Sequence, residues 1–196
     1  LLWWSSASAT TSTAVPLASN VSTMINSVVS EIRTVDRDGD ELIDNIYFGD
    51  LGGQVFRVDL DNKATALGNI VKKPVRLLNL SKTGGMSPRF YDMPAFSLYS
   101  DQGDVFALIS IGSGNRSKPL QDYASGADYE AVYNVYDKDV ANKNLMSLSA
   151  YSTQDIIRTN LVAITDEDRK DDTTLKAPYA STKGWYYEYK NCSGSD

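Results

Sequence analysis

A chain of 196 residues that is 42% hydrophobic and 10% aromatic can bury one substantial core, so one domain is the expectation. No run of about 18 apolar residues crosses a membrane as a helix, and 19 basic against 25 acidic residues, a net charge of −6, leave no basic stripe for nucleic acid or an anionic bilayer. Histidine is absent and Cys192 is the single cysteine, which excludes an internal disulfide and a cysteine metal cluster and disfavours serine triads, zinc hydrolases and most metal redox sites.

Carboxylate chemistry stays open on composition, yet spacing singles out no acid pair as catalytic, and the chain is read as a non-enzyme. Its opening, Leu1-Leu2-Trp3-Trp4, has no initiator Met and neither the basic flank nor the apolar length of a signal peptide. It reads as a piece of a longer protein. Residues 1–24 are small and polar without periodicity, a loop or insert. Residues 27–35 are rich in Val and Ile and predict a strand running into an acidic loop. A helix is the alternative, because Ile25, Val28, Val29 and Ile32 also fit a 3.6-residue period.

The loop is Asp36-Arg37-Asp38-Gly39-Asp40-Glu41-Leu42-Ile43-Asp44. Asp36, Asp38, Asp40 and Asp44 stand at positions 1, 3, 5 and 9, the spacing that lets a tightly wound backbone aim alternate carboxylates at one hard cation, with the Leu42 carbonyl at position 7. Four carboxylates this close repel one another until a divalent ion offsets the repulsion. The expected ion is Ca2+; an unoccupied acidic turn is the alternative. An EF-hand is set aside: Glu41 stands where Gly makes the sharp turn, Tyr47 replaces the bidentate Glu, and the chain leaves the loop as a strand.

Beyond the loop, residues 43–48 and 54–60 flank the glycine-rich turn Gly49-Asp50-Leu51-Gly52-Gly53, and Phe56, Val58 and Leu60 alternate onto one face. That pattern predicts a hairpin. A second hairpin, 95–99 with 105–111, flanks Ser100-Asp101-Gln102-Gly103-Asp104, and two hairpins about fifty residues apart predict repeated blades. Residues 130–136, 161–165 and 184–189 give strands of one further unit, whereas 154–161 is a helical turn or a strand. The mixed charge run 166–172 reads as a solvated loop. Asp137 and Asp139, with no third ligand nearby in sequence, read as exposed rather than as a second cation site. The alternating Trp185, Tyr186, Tyr187 and Tyr189 read as packing of an outer strand.

Across residues 35–60 the chain resembles the C-terminal propeller domain of type IV pilus biogenesis factors and tip adhesins of the PilY/PilC type. In that family a calcium loop leads directly into a hairpin whose landmarks Tyr47, Gly49, Asp50, Gly53, Arg57, Asp59 and Leu60 supply. Pro88-Arg89-Phe90-Tyr91, Pro94, Ile111-Gly112-Ser113-Gly114-Asn115-Arg116, Pro119 and Lys183-Gly184-Trp185 are similar to later landmarks. The resemblance implies an all-β fold: a partial, modified β-propeller of repeated antiparallel hairpins, in which residues 25–196 make about three blade-like units. It also implies export through the periplasm to the cell surface or pilus tip, and partners among pilins, minor pilins and a host surface. The implied role is support of pilus biogenesis, twitching motility and adhesion, with Asp36, Asp38, Asp40, Leu42 and Asp44 holding calcium. Two alternatives stand beside it. One is a calcium-dependent propeller enzyme of quinoprotein type, disfavoured by the missing histidine. The other is a calcium-stabilised extracellular module unconnected with pili.

Overall fold

The β-prone runs fold into two sheets in a computed structural model, which describes residues 24–66, 69–83, 86–101, 103–117, 119, 130–147, 155–170 and 177–189. The polar stretch 1–23 and Cys192 lie outside these residues. The first sheet is a meander of β1 (Arg33–Val35), β2 (Asn45–Gly49), β3 (Gln54–Leu60) and β4 (Val71–Asn79), each strand antiparallel to the next. The turn between β2 and β3 is made by Asp50, whose Oδ1 accepts the N–H groups of Gly52 and Gln54, both at 2.9 Å. Gly53 completes it at φ +79°, a left-handed conformation that glycine adopts without steric cost.

The strand expected over 27–35 is shorter than its composition implies. Only β1 pairs with β2; upstream, the Ser27 carbonyl accepts the Leu51 N–H and the Ser30 hydroxyl donates to the Gly49 carbonyl. These contacts fasten the segment to the β2–β3 turn, and Ile25, Val28, Val29 and Ile32 stay exposed.

The second sheet contains β5 (Ala95–Asp101), β6 (Asp104–Gly112), β7 (Ala131–Asp137), β8 (Val162–Ala163) and β9 (Gly184–Glu188), in the order β5-β6-β7-β9-β8. All its pairs are antiparallel except β8 with β9. The strands expected to form a further unit therefore extend the sheet of the second hairpin. Trp185 and its neighbours lie on β9, between two strands rather than at an edge. Ile156 forms a bridge to Leu78 and Arg158–Asn160 a 3-10 turn, so both readings of 154–161 hold in part. The charge run is partly helical: Asp166–Lys170 forms one short helix with no buried residue. Thr165 and Asp168 cap it reciprocally, backbone N–H to side-chain oxygen in each direction.

One apolar cluster draws on both sheets, with Tyr47, Val55, Leu77 and Leu78 from the first and Ala107, Ile109, Ile111, Tyr133 and Val135 from the second. A second cluster, Phe48, Phe56, Val58, Leu60 and Val71, occupies the opposite face of the first sheet. Covered on both faces, β3 is buried along its whole length. Close backbone approach fixes two glycines. A Cβ on Gly49 would stand 2.7 Å from Phe90 Cβ, and one on Gly184, at φ +135°, would stand 2.0 Å from the Asn134 carbonyl oxygen. Gly184→Ala must part β9 from β7 as well as adopt a strained backbone, at a cost of about 2 kcal/mol or more. A urea-unfolding midpoint lowered with unchanged slope is the expected result; an unchanged midpoint would contradict it.

Candidate metal centre

The acidic loop closes the hairpin between β1 and β2. Val35 and Asn45 form its last pair, and the Asp44 N–H donates to the Val35 carbonyl at 2.9 Å. Within the loop the carboxylates first satisfy the backbone. Asp36 Oδ1 accepts the Gly39 N–H at 2.7 Å and its Oδ2 the Glu41 N–H at 2.9 Å, while Asp40 Oδ1 accepts the Leu42 N–H at 2.9 Å. Gly39 and Glu41 are both left-handed, at φ +80° and +71°. For Glu41 that winding costs about 1 kcal/mol or more, a strain the surrounding hydrogen bonds must hold.

The winding brings together an oxygen from each of Asp36, Asp38 and Asp40, all within 4.8 Å of one another. Two oxygens on one calcium ion stand at most about 5 Å apart, twice a ligand distance of about 2.5 Å, so this spacing fits one ion. The donor set is hard oxygen alone, the preference of calcium and magnesium rather than of zinc or copper. Hydrogen bonding, above all from the Gly39 N–H, holds the Asp36 carboxyl below its ordinary pKa and keeps it ionised.

Asp44 stands apart from these three. It is buried, and its oxygens accept the Arg37 N–H at 2.8 Å and the Asn62 side-chain amide at 3.1 Å. With Asp38, Asp40, Asn62, Lys63 and Lys143 it lines a cleft of about 450 Å³ beside the loop. Of the five residues the sequence assigns to the ion, the structure thus converges three, sets Asp44 at the loop base, and ties the Leu42 N–H to Asp40.

Close to that base lies an ionic network that sequence reasoning did not assemble. The Arg57 guanidinium on β3 binds Asp59 through Nε at 2.8 Å and a second nitrogen at 3.1 Å, and reaches Asp137 at the end of β7 at 2.5 Å. Asn45 donates to Asp59 at 2.7 Å and the Tyr47 hydroxyl to Asp137 at 3.1 Å. Arg57, Asp59 and Asp137 are fully buried, so Asp137 is a partner across the sheets and not the exposed carboxylate its sequence neighbourhood predicts. Burial lifts the Asp59 carboxyl above its ordinary pKa, against the pull of Arg57. Burial also opposes the charge on Arg57, but the two carboxylates outweigh it and hold the guanidinium protonated. Tyr47, Arg57 and Asp59 of the hairpin landmarks serve this network, and Gly49, Asp50 and Gly53 shape the turn or the close approach to Phe90. Two opposite charges on alternate residues, Arg57 and Asp59, within the strand pattern of 54–60 were the available signal.

No protein-family profile matches the sequence, and no curated protein matches it. Among solved structures, the crystal structure of the Pseudomonas aeruginosa PilY1 C-terminal domain superposes with a TM-score of 0.56 at 16% identity, covering 82% of this chain. The chain spans 38% of the length of that solved domain. The resemblance read from residues 35–60 is borne out in the fold. Over most of its length, this chain is folded like the C-terminal domain of PilY1.

Proposed function

We propose that this chain is the calcium-binding part of a type IV pilus-associated surface protein, exported through the periplasm, that supports pilus biogenesis, twitching motility and adhesion. Its partners in this reading are pilins, minor pilins and a host surface, its blades belong to a modified β-propeller, and it performs no catalysis. The observation that carries the proposal is the wound hairpin loop with Asp36, Asp38 and Asp40 converging, on a fold like that of the PilY1 C-terminal domain. Calcium held there by Asp36, Asp38, Asp40, Asp44 and the Leu42 carbonyl would supply a positive charge that makes the wound loop the stable one.

Two measurements test it together. Titration of the chelator-stripped chain with calcium should give one site with a dissociation constant between roughly 10⁻⁷ and 10⁻³ M, strongly weakened by Asp40→Ala. The full-length protein carrying Asp40→Ala should still reach the cell surface yet change piliation or twitching. No calcium heat from the wild-type chain would end the reading. Lost binding with normal pili, motility and adhesion would reduce the ion to a structural role in an extracellular module.

A further inference from the structure

The base of the acidic loop is held by a residue from outside it. Asn62, in the connection between β3 and β4, donates its side-chain amide to the Ile43 carbonyl and to Asp44 Oδ1, both at 3.1 Å. The remaining Asp44 oxygen takes the Arg37 N–H, and the Asp44 carbonyl takes the Leu60 N–H at 2.7 Å. Each end of Asp44 is therefore fixed, while Asp36, Asp38 and Asp40 converge at the exposed mouth. The chemistry of the clamp matters. An amide holds the carboxylate without neutralising it and leaves its charge for a cation, which an ammonium in the same place, such as that of the neighbouring Lys63, would not.

We propose that Asn62 is a positioning residue of the cation site: by fixing Asp44 and Ile43 it keeps the loop in the wound form in which Asp36, Asp38 and Asp40 converge. This rests on the calcium reading above. It makes the β3–β4 connection part of the site, although the linear motif does not contain it. That connection is itself anchored, through the Asp61 N–H to the Ile70 carbonyl at 2.7 Å and an ion pair of Asp61 with Lys72.

The test uses the whole chain, stripped with chelator and titrated with calcium chloride, with the calcium-free thermal midpoint measured in parallel. Asn62→Ala should weaken calcium binding about three- to tenfold, the scale of one hydrogen bond to a carboxylate. Because Asn62 is exposed, its calcium-free midpoint should stay near that of wild type. Asn62→Asp places a second carboxylate against Asp44, so the calcium-free midpoint should fall while affinity rises with the added ligand charge. A purely structural asparagine would not move the two readouts in opposite directions. Asn62→Ala binding calcium as wild type does, or Asn62→Asp moving stability and affinity together, overturns the role while leaving the calcium site standing. A wild-type chain that binds no calcium overturns both.

Discussion

Arg57→Ala should lower the thermal midpoint by about 10 °C at neutral pH, because removing one partner of a buried ionic cluster costs about 3–5 kcal/mol and a chain of this size shifts by about 2–4 °C per kcal/mol. The deletion leaves Asp59 and Asp137 buried without their cation, and strands the acceptor side of a network that ties β3 to β7. The deficit should depend on pH with a definite sign. The Asp59 carboxyl in the folded chain already titrates above the ordinary value of 3.8 because it is buried, and losing Arg57 raises it further. A carboxyl raised in this way stabilises the fold fully below its unfolded pKa and loses that contribution as pH rises through the folded value. Acidification from neutral pH toward about pH 4 should therefore narrow the gap between variant and wild type. A triple variant, Arg57→Leu with Asp59→Asn and Asp137→Asn, removes the charges together and should recover much of the loss, since neutral replacements of a buried ionic cluster are often tolerated. Thermal melts of the three proteins at several pH values decide the matter. An Arg57→Ala chain as stable as wild type at pH 7, or a deficit that widens on acidification, would show that the cluster contributes little.

The first hairpin was legible because its signals are local. Alternating apolar residues, a turn bearing Asp50 and three glycines, and a loop of four aspartates all declare themselves within thirty residues; the structure keeps the strand at 54–60 and shifts the one expected over 43–48 to Asn45–Gly49. Alternation misled in one respect. Phe56, Val58 and Leu60 do share a face, but the other face of β3 is buried too, because Val55 joins the cluster shared with the second sheet and Arg57 reaches Asp137 there. Nothing within residues 54–60 announces a partner 80 residues away, so the link from Arg57 to Asp137 could not be read. The same holds for β7, β8 and β9, whose joining to the second hairpin is a matter of long-range pairing rather than of their own composition. In the candidate site, Asp36, Asp38 and Asp40, grouped by their spacing, do have oxygens within 4.8 Å of one another. Spacing gave Asp44 the same standing, whereas Asn62 and the Arg37 N–H hold that carboxylate at the loop base.

Calcium should raise the thermal midpoint of the wild-type chain in proportion to the logarithm of its concentration once the dissociation constant is exceeded. At a hundredfold excess the gain is about 2.7 kcal/mol, or about 5–10 °C for a chain of this length. The neutral, nearly isosteric Asp40→Asn separates this effect from ordinary damage to the loop. Its amide oxygen can still accept the Leu42 N–H that Asp40 accepts now, so the backbone winding is retained. Without calcium, one of three converging charges is gone and mutual repulsion falls, so the variant should melt at or slightly above the wild-type temperature. With calcium the order should reverse, because the site has lost a charged ligand and the variant gains little from the ion. The two midpoint curves, plotted against calcium concentration, should therefore cross. A variant that melts below wild type at every calcium concentration, by a constant margin, would mean that Asp40 serves the loop through its hydrogen bond alone and that its charge is not there for an ion.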